Sequence, residues 1–232
     1  MRVHVAFTPA EEVSADVGVV VDVLRASSTM AQALASGYRR ILCCREIEEA
    51  RALREAIPDS LVGGEREAIR IPGFDVGASP RAFAAGPLAP TLILSTTNGT
   101  SAILAAASSC ETVLVGSLLN LAAVARAARA AGGDVDVLCA GFMGGFAVDD
   151  AYCAGRIVTE LGGEPSDAAV AATLVAASFP TPLDGLNART YGPQGLEADI
   201  EFCARESVLE TVPRLARMVG PAAEIVSELR SP

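Results

Sequence analysis

The sequence predicts an α/β protein, a mainly parallel sheet with helices on both faces and an α-rich C-terminal part. Three observations carry that prediction. Short runs rich in Val, Ile and Leu recur along the chain. Stretches of helical character lie between them, so strand and helix alternate, the pattern of a parallel sheet covered by crossover helices. No apolar run approaches the roughly 18 residues needed to span a bilayer, so these elements close on a core of their own. At 232 residues the chain can bury a sizeable core. It reads as one domain over 1–232, with 164–232 as a cap, a second lobe or an outer layer.

The elements follow in order. Val3–Phe7 alternates apolar and polar residues and reads as a strand. Val17–Leu24 is a β-branched run that reads as a buried strand ending in Asp22. Ser28–Ala35 follows as a helix. Ile41–Cys44 is a strand, Ile47–Ile57 a helix, Thr91–Ser95 a strand and Ser101–Ala107 an alanine-rich helix. Thr112–Gly116 is the next strand. Leu119–Ala131 is an amphipathic helix, with Leu119, Ala122, Ala123, Ala127 and Ala130 on one side and Arg126 and Arg129 on another. Val135–Ala140 is a strand and Ala151–Leu161 a helix. After Leu161 the chain becomes helical and loop-like to about 205, punctuated by Pro165, Pro180, Pro182 and Pro193, with GPQG (192–195) breaking it before Leu196–Cys203. The tail, Ala222–Leu229, fits a final strand or a helix.

Composition removes several chemistries. The net charge of −10 argues against a nucleic-acid groove, which needs a basic stripe. All basic residues except His4 are arginine, so Schiff-base chemistry and a P-loop lysine are excluded. Arginine suits a bidentate grip on phosphate, carboxylate or sulfonate. The six cysteines show no CxxC spacing and no neighbouring histidine, which argues against zinc, and they read as small buried hydrophobes. His4, the only histidine, sits inside an alternating strand, so His-dependent triads are disfavoured. MRVHVAF is too short and too alternating for a signal peptide, and the expectation is a cytoplasmic protein with no membrane partner. The alanine-rich helices fit packing within one subunit or across a homodimer interface.

Four polar segments follow apolar runs and so fall beyond the carboxyl ends of strands, where open α/β sheets collect ligands. VVDVLRASST brings Asp22, Arg25, Ser27 and Ser28 to a strand end and a helix start, either as a structural Asp–Arg pair with an N-cap or as an anion and metal site. GGERE and GFDVGASP place Glu65, Arg66 and Asp75 on turn-rich loops, with Ser79–Pro80 as an N-cap and first helical proline. STTNGT, with Thr96, Thr97, Asn98, Gly99 and Thr100, suits an anion-binding turn of backbone amides, or a plain N-cap. AGFMGGFAVDD sets Asp149 and Asp150 at a helix start, where they serve the macrodipole or bind Mg²⁺ through oxygen. Taken together, these residues point to Mg²⁺-assisted handling of a small phosphorylated anion.

These segments, in this order, resemble the 2-phosphosulfolactate phosphatase family, whose pattern looks like V-I-D-V-L-R-A-T-T, G-E-R, G-F-D-x-G-N-S-P, T-T-N-G-T and A-G…G-x-F-x-x-E-D. The resemblance runs from about Val17 to Pro213. It implies a Mg²⁺-dependent hydrolase that releases phosphate from 2-phospho-3-sulfolactate to give 3-sulfolactate, on the route to coenzyme M. Carried onto this chain, it makes Asp22, Glu65 and Asp150 catalytic candidates and Asp22, Asp75, Asp149 and Asp150 metal candidates. Arg25, Ser27, Ser28, Arg66 and Thr96–Thr100 become candidates for the phosphate, carboxylate and sulfonate. Two positions depart from the pattern: Ala78 replaces the Asn of GNSP, and Ser101 stands where an Arg is expected. Phosphatase action on another small ester and a non-catalytic anion-binding role are the alternatives. A haloacid-dehalogenase-like route lacks its second aspartate, because Leu24 stands there.

Overall fold

The computed structural model describes residues 1–190 and 194–227. Within them, the first half of the chain lays down β1 (Arg2–Ala6), β2 (Val17–Val21), α1 (Ala26–Ala35), β3 (Arg40–Cys43), α2 (Ile47–Ala56), β4 (Ser60–Arg66), β5 (Ile69–Arg70), β6 (Thr91–Ser95) and α3 (Gly99–Ala107). There follow β7 (Thr112–Gly116), α4 (Leu121–Ala131), β8 (Val135–Cys139), α5 (Val148–Leu161), β9 (Glu164–Pro165) and α6 (Asp167–Ala177). The last elements are α7 (Pro182–Asn187), α8 (Glu197–Cys203), β10 (Pro213–Val219) and β11 (Ala222–Ser227).

All the strands join one sheet in the order β5-β4-β6-β3-β11-β10-β7-β2-β8-β1-β9. It contains two parallel blocks, β4–β6–β3 and β7–β2–β8–β1–β9. The antiparallel hairpin β10–β11 joins them, pairing with β7 on one side and β3 on the other. Successive side chains of a strand point to opposite faces, and the core divides accordingly. Val19 and Val21 pack with α4 and α5 on one face, while Val20 packs with α1 and α3 on the other. Leu42 and Cys44 turn toward α2, away from their neighbours Ile41 and Cys43. Each fully buried Val or Ile of this kind contributes about 1.5–3 kcal/mol.

The two blocks run in opposite senses, because three antiparallel steps separate β3 from β7. Residues at the carboxyl ends of both blocks nevertheless come together at one place. Helix α3 leaves β6 of one block and packs on β2 and β7 of the other, and α1 touches both β3 and β7.

Several elements differ from the sequence expectation. Ser60–Arg66 is a strand, although Gly63 and Gly64 read as loop formers. A methyl at Gly64 would lie 2.3 Å from the Ser95 carbonyl oxygen, so glycine is what lets β4 close on β6. Glu65 and Arg66 therefore stand at a strand end. Strand β2 stops at Val21, one residue before Asp22, and α1 begins at Ala26. Helix α3 begins at Gly99, inside TTNGT. The buried residues of α4 are Leu121, Ala123, Val124, Ala125 and Ala128; of the expected side Leu119, just before the helix, and Ala123 are buried, while Ala122, Ala127 and Ala130 are not, because alanine at so many positions hides the phase. The tail is a strand over Ala222–Ser227; positions 228 and 229, and 191–193 before α8 with Pro193 among them, lie outside the described residues. The residues after 164 do not stand apart from the sheet: α6 packs on α5 and β1, and the β10–β11 hairpin enters the centre.

Candidate active site

At the point where the carboxyl ends meet lies a crevice of about 740 Å³, its open mouth included. Asp22, Glu65, Asp149 and Asp150 line it, with Arg25, Thr96, Thr97 and Asn98. Residues from β2, β4, β6 and α5 thus share one wall system, though far apart in sequence.

Asp22 follows β2. Its Oδ1 accepts a hydrogen bond from the Ala26 amide at 3.2 Å, and its main-chain oxygen accepts from the Ser27 amide at 2.9 Å. Gly99 presses on the other side: a methyl there would lie 2.7 Å from Asp22 Oδ2 and 2.6 Å from the Ala26 Cβ. Asp150 bridges two loops, with Oδ1 accepting from the Val23 amide at 2.9 Å and Oδ2 from the Gly141 amide at 3.0 Å. Asp149 Oδ1 accepts from the Asp150 amide at 3.1 Å in the first turn of α5. Glu65 reaches the TTNGT turn, its Oε1 accepting from the Thr97 amide at 3.0 Å and its Oε2 from the Ala68 amide at 2.7 Å.

Like charges in a buried place raise one another's pKa. Burial pushes Asp22 up to about 7, helped by the charges of Glu65 and Asp149 and opposed by the amides of Ala26 and Gly99. Asp150 is held well above the ordinary carboxylate range by burial and by Asp149 and Asp22, against the pull of the Val23 and Gly141 amides.

Some sequence candidates stand elsewhere. Ser27 and Ser28 are buried beneath α1, where their hydroxyls donate to the carbonyls of Asp22 and Val23, both at 2.8 Å, so they shape the strand-to-helix turn and do not face the crevice. The expected side-chain N-cap is absent; Arg25 occupies the cap position. Arg66 turns away, donating to the carbonyl of Arg45 at 2.7 Å and to the Ser95 hydroxyl at 3.0 Å. Asp75 pairs with Arg54 at 2.5 Å and accepts from the Val62 amide at 2.8 Å, so it fastens its loop to α2 and β4 outside the crevice. Thr100 is buried against Thr96, their hydroxyls 3.1 Å apart. Ser79 does not cap the 3₁₀ turn Pro80–Phe83; its hydroxyl donates to Asp199 at 2.6 Å.

The TTNGT turn also behaves differently from the expected phosphate cradle. Its Thr97 amide serves Glu65 and its Gly99 amide serves Asp22, so the turn holds the protein's own carboxylates. The thiols match the sequence reading: Cys139 and Cys153 are buried, and burial together with the nearby Asp150 pushes both well above the ordinary thiol range.

Two features were not visible in the sequence. Arg189, just after α7, lines the crevice together with Leu196. Asp199 of α8 grips Arg25 at 2.8 Å, with side-chain exposures of 7% and 8%. Neither residue is among the site candidates read from the sequence, although Asp199 opens DIEFCARESVLETVP (199–213), a segment that fits the family pattern. Of the two departures from the family pattern, Ala78 lines the crevice and Ser101 does not.

The described residues include no group of three His, Cys, Asp or Glu side chains already drawn together as a metal cage. The donor set still suits a hard cation: several carboxylate oxygens face one solvent-reaching space. Mg²⁺ usually takes one or two carboxylates and completes its shell with water and substrate oxygens. No helix among the described residues is long and apolar enough to cross a membrane.

Fold and crevice together define an α/β protein with an acidic ligand site at the carboxyl ends of its strands. Comparison with known proteins narrows this. The family model described as 2-phosphosulpholactate phosphatase matches residues 4–217. A protein of Thermus thermophilus named probable 2-phosphosulfolactate phosphatase is 39% identical, covering 96% of this chain and 98% of its own. Proteins of the same name from Deinococcus radiodurans and Carboxydothermus hydrogenoformans are 36% and 37% identical, covering 93% and 92% of this chain and the same shares of their own. The chain belongs to the 2-phosphosulfolactate phosphatase family.

Proposed function

We propose that the protein is a Mg²⁺-dependent phosphatase that hydrolyses 2-phospho-3-sulfolactate, with water, to 3-sulfolactate and inorganic phosphate. One observation carries the reading: Asp22, Glu65, Asp149 and Asp150, delivered by separate elements, line a single crevice. Four carboxylates repel a phosphate dianion. Arg25 is paired with Asp199, and carboxylates outnumber arginines around the crevice. A divalent cation arriving with the ester resolves the imbalance. Asp22 and Asp149, which face the crevice from the end of β2 and the first turn of α5, are the residues to hold it. When bound, Mg²⁺ supplies charge neutralisation at the phosphoryl oxygens.

The chain's own residues do the rest. Asp22 either orients the water that attacks phosphorus as the P–O bond to 3-sulfolactate breaks, or attacks phosphorus itself with release of 3-sulfolactate, a water then hydrolysing the aspartyl phosphate to free phosphate. Asp150 fixes the Val23 and Gly141 amides, and so the spacing of the β2 and β8 loops. Glu65 fixes the Thr97 turn. Phe142 and Met143 line the same space.

The test is inorganic phosphate release from 2-phospho-3-sulfolactate, with Mg²⁺ and with EDTA. Turnover that needs Mg²⁺ is the expected result. Undiminished turnover in EDTA removes the metal from the reading, and the absence of turnover in both removes the phosphatase.

A further inference from the structure

We infer that Asp199 is a positioning residue for the crevice: by fixing Arg25, it ties down the strained Glu67–Ala68 turn and so holds Glu65 in place. The inference rests on the phosphatase reading for its effect on turnover. It rests on the structure alone for the tie.

The turn needs a tie because its own sequence and surroundings hold it loosely. Strands β4 and β5 pair Glu65 with Arg70 and Arg66 with Ile69, which leaves Glu67 and Ala68 as the two residues of the hairpin turn. Both have positive φ, 52° and 59°. Two-residue turns of this kind favour Asn-Gly, because a Cβ is strained in the left-handed region. Strand β5 is only two residues long and lies at the edge of the sheet. Ile69, next to the turn, is 70% exposed, and Glu67 is exposed as well. A strained turn persists where the surrounding structure over-determines it.

Two bonds meet at Ala68. Its carbonyl accepts from Arg25 Nη2 at 3.0 Å, and its amide donates to Glu65 Oε2 at 2.7 Å. The other oxygen of Glu65 accepts from the Thr97 amide at 3.0 Å and from the Thr97 hydroxyl at 3.2 Å. Arg25 is itself held by Asp199, Nη1 to Oδ2 at 2.8 Å. The remaining Asp199 oxygen accepts from the Ser79 hydroxyl at 2.6 Å, and Arg81 approaches it to 3.9 Å. An unbroken run of bonds therefore leads from α8 through Arg25 and Ala68 to Glu65 and the TTNGT turn. Arg25 and Ala68 line the crevice on one side; with Asp199 they also line a separate groove of about 580 Å³, its open mouth included. The ion pair is the partition between these two hollows.

The test combines Asp199→Asn, which keeps the shape and removes the charge, with Ala68→Gly, which lets the turn form without strain. Amide exchange read by NMR is the structural measure, and phosphate release from 2-phospho-3-sulfolactate with Mg²⁺ the functional one. In Asp199→Asn the Thr97 amide is expected to exchange about tenfold faster or more, while amides of β2 and β8 keep their rates. kcat/KM is expected to fall about tenfold or more, since misplacement of a wall residue disturbs the reacting geometry. Adding Ala68→Gly to Asp199→Asn is expected to recover about threefold or more of each loss, which a general loss of stability would not permit. An unchanged Thr97 exchange rate in Asp199→Asn overturns the tie, and so does a loss that Ala68→Gly does not reverse. Ser79→Ala removes one bond to Asp199 and leaves both charges, so it serves if Asp199→Asn does not fold. The same pattern is expected there at about threefold, and wild-type exchange at Thr97 then overturns the tie. If wild type releases no phosphate, the phosphatase reading falls, and exchange at Thr97 in these variants decides the tie by itself.

Discussion

The two rims of the sheet both gather aspartates, and they do so to opposite effect. At the amino ends of β1, β2 and β8, Asp134 accepts hydrogen bonds from the Arg2 amide at 2.7 Å and its Nε at 2.9 Å. Asp16 receives the Asp134 amide and Asp136 receives the amides of Ser14 and Ala15. The bonds from Arg2 draw Asp134 below the ordinary carboxylate range. At the carboxyl ends, Asp22 and Asp150 also accept backbone amides, yet burial and neighbouring carboxylates push both upward. Hydrogen bonding is common to the two rims, and Asp136 is as buried as Asp22; what marks the carboxyl rim is that the charges of Glu65, Asp149, Asp22 and Asp150 raise one another. An acid that is bonded but still unfavourably charged is poised to receive something positive, and that marks the functional rim.

That contrast can be broken by substitution. The largest expected effect is Asp22→Asn, which should lower kcat for phosphate release by about a thousandfold or more, whereas Asp134→Asn should leave kcat within about twofold. Comparable losses from both would erase the distinction between the rims. Next, Gly99→Ala places a methyl against Asp22 and Ala26 and is expected to lower stability by about 2 kcal/mol and activity at least about tenfold, read from urea melts and initial rates. Wild-type behaviour there shows that the turn need not press on Asp22.

The pH dependence of stability sharpens the comparison. Asp22 keeps its proton to about pH 7 when folded, against 3.8 for the ordinary group, so between those values the folded state binds more protons than the unfolded one. Stability of the metal-free protein therefore falls as pH rises through that window, and Asp22→Asn should flatten the slope. Asp134 has the opposite sign, its contribution being lost as pH falls through its lowered pKa. A wild-type Tm that rises steadily from pH 4 to 7 and is unchanged in slope by Asp22→Asn contradicts this. The smallest effect belongs to Asp75→Asn, which weakens a part-exposed pair with Arg54. It should cost about 1 kcal/mol or less and leave kcat/KM within about twofold. A large loss of activity there returns Asp75 to the crevice.

Much of this was legible in the sequence because strand ends announce themselves. Asp22, Asp149 and Asp150 each follow a β-branched run or precede a helix, and open sheets concentrate ligands at such places. The β4 strand was obscured because Gly63 and Gly64 imitate a loop, and their true role, close approach of β6 and the Asp75 loop, is a tertiary fact. Ser27 and Ser28 looked like anion ligands because hydroxyls at a helix start serve an anion or the backbone equally well, and local geometry chose the backbone. Arg66 and Arg189 show the same limit for long side chains. Their positions follow from sequence spacing, but the direction of a guanidinium is set by partners such as the Arg45 carbonyl, far along the chain. Alanine in α4 hid the buried face, since it satisfies either phase.

Coupled binding of Mg²⁺ and inorganic phosphate, measured by calorimetric titration at fixed pH, tests the acidic crevice most directly. Linkage requires each ligand to raise the other's affinity by the same factor. If the carboxylates repel the anion until a cation joins them, that factor should be about tenfold or more in wild type and disappear in Asp22→Asn. Phosphate that binds equally well with and without Mg²⁺ contradicts it.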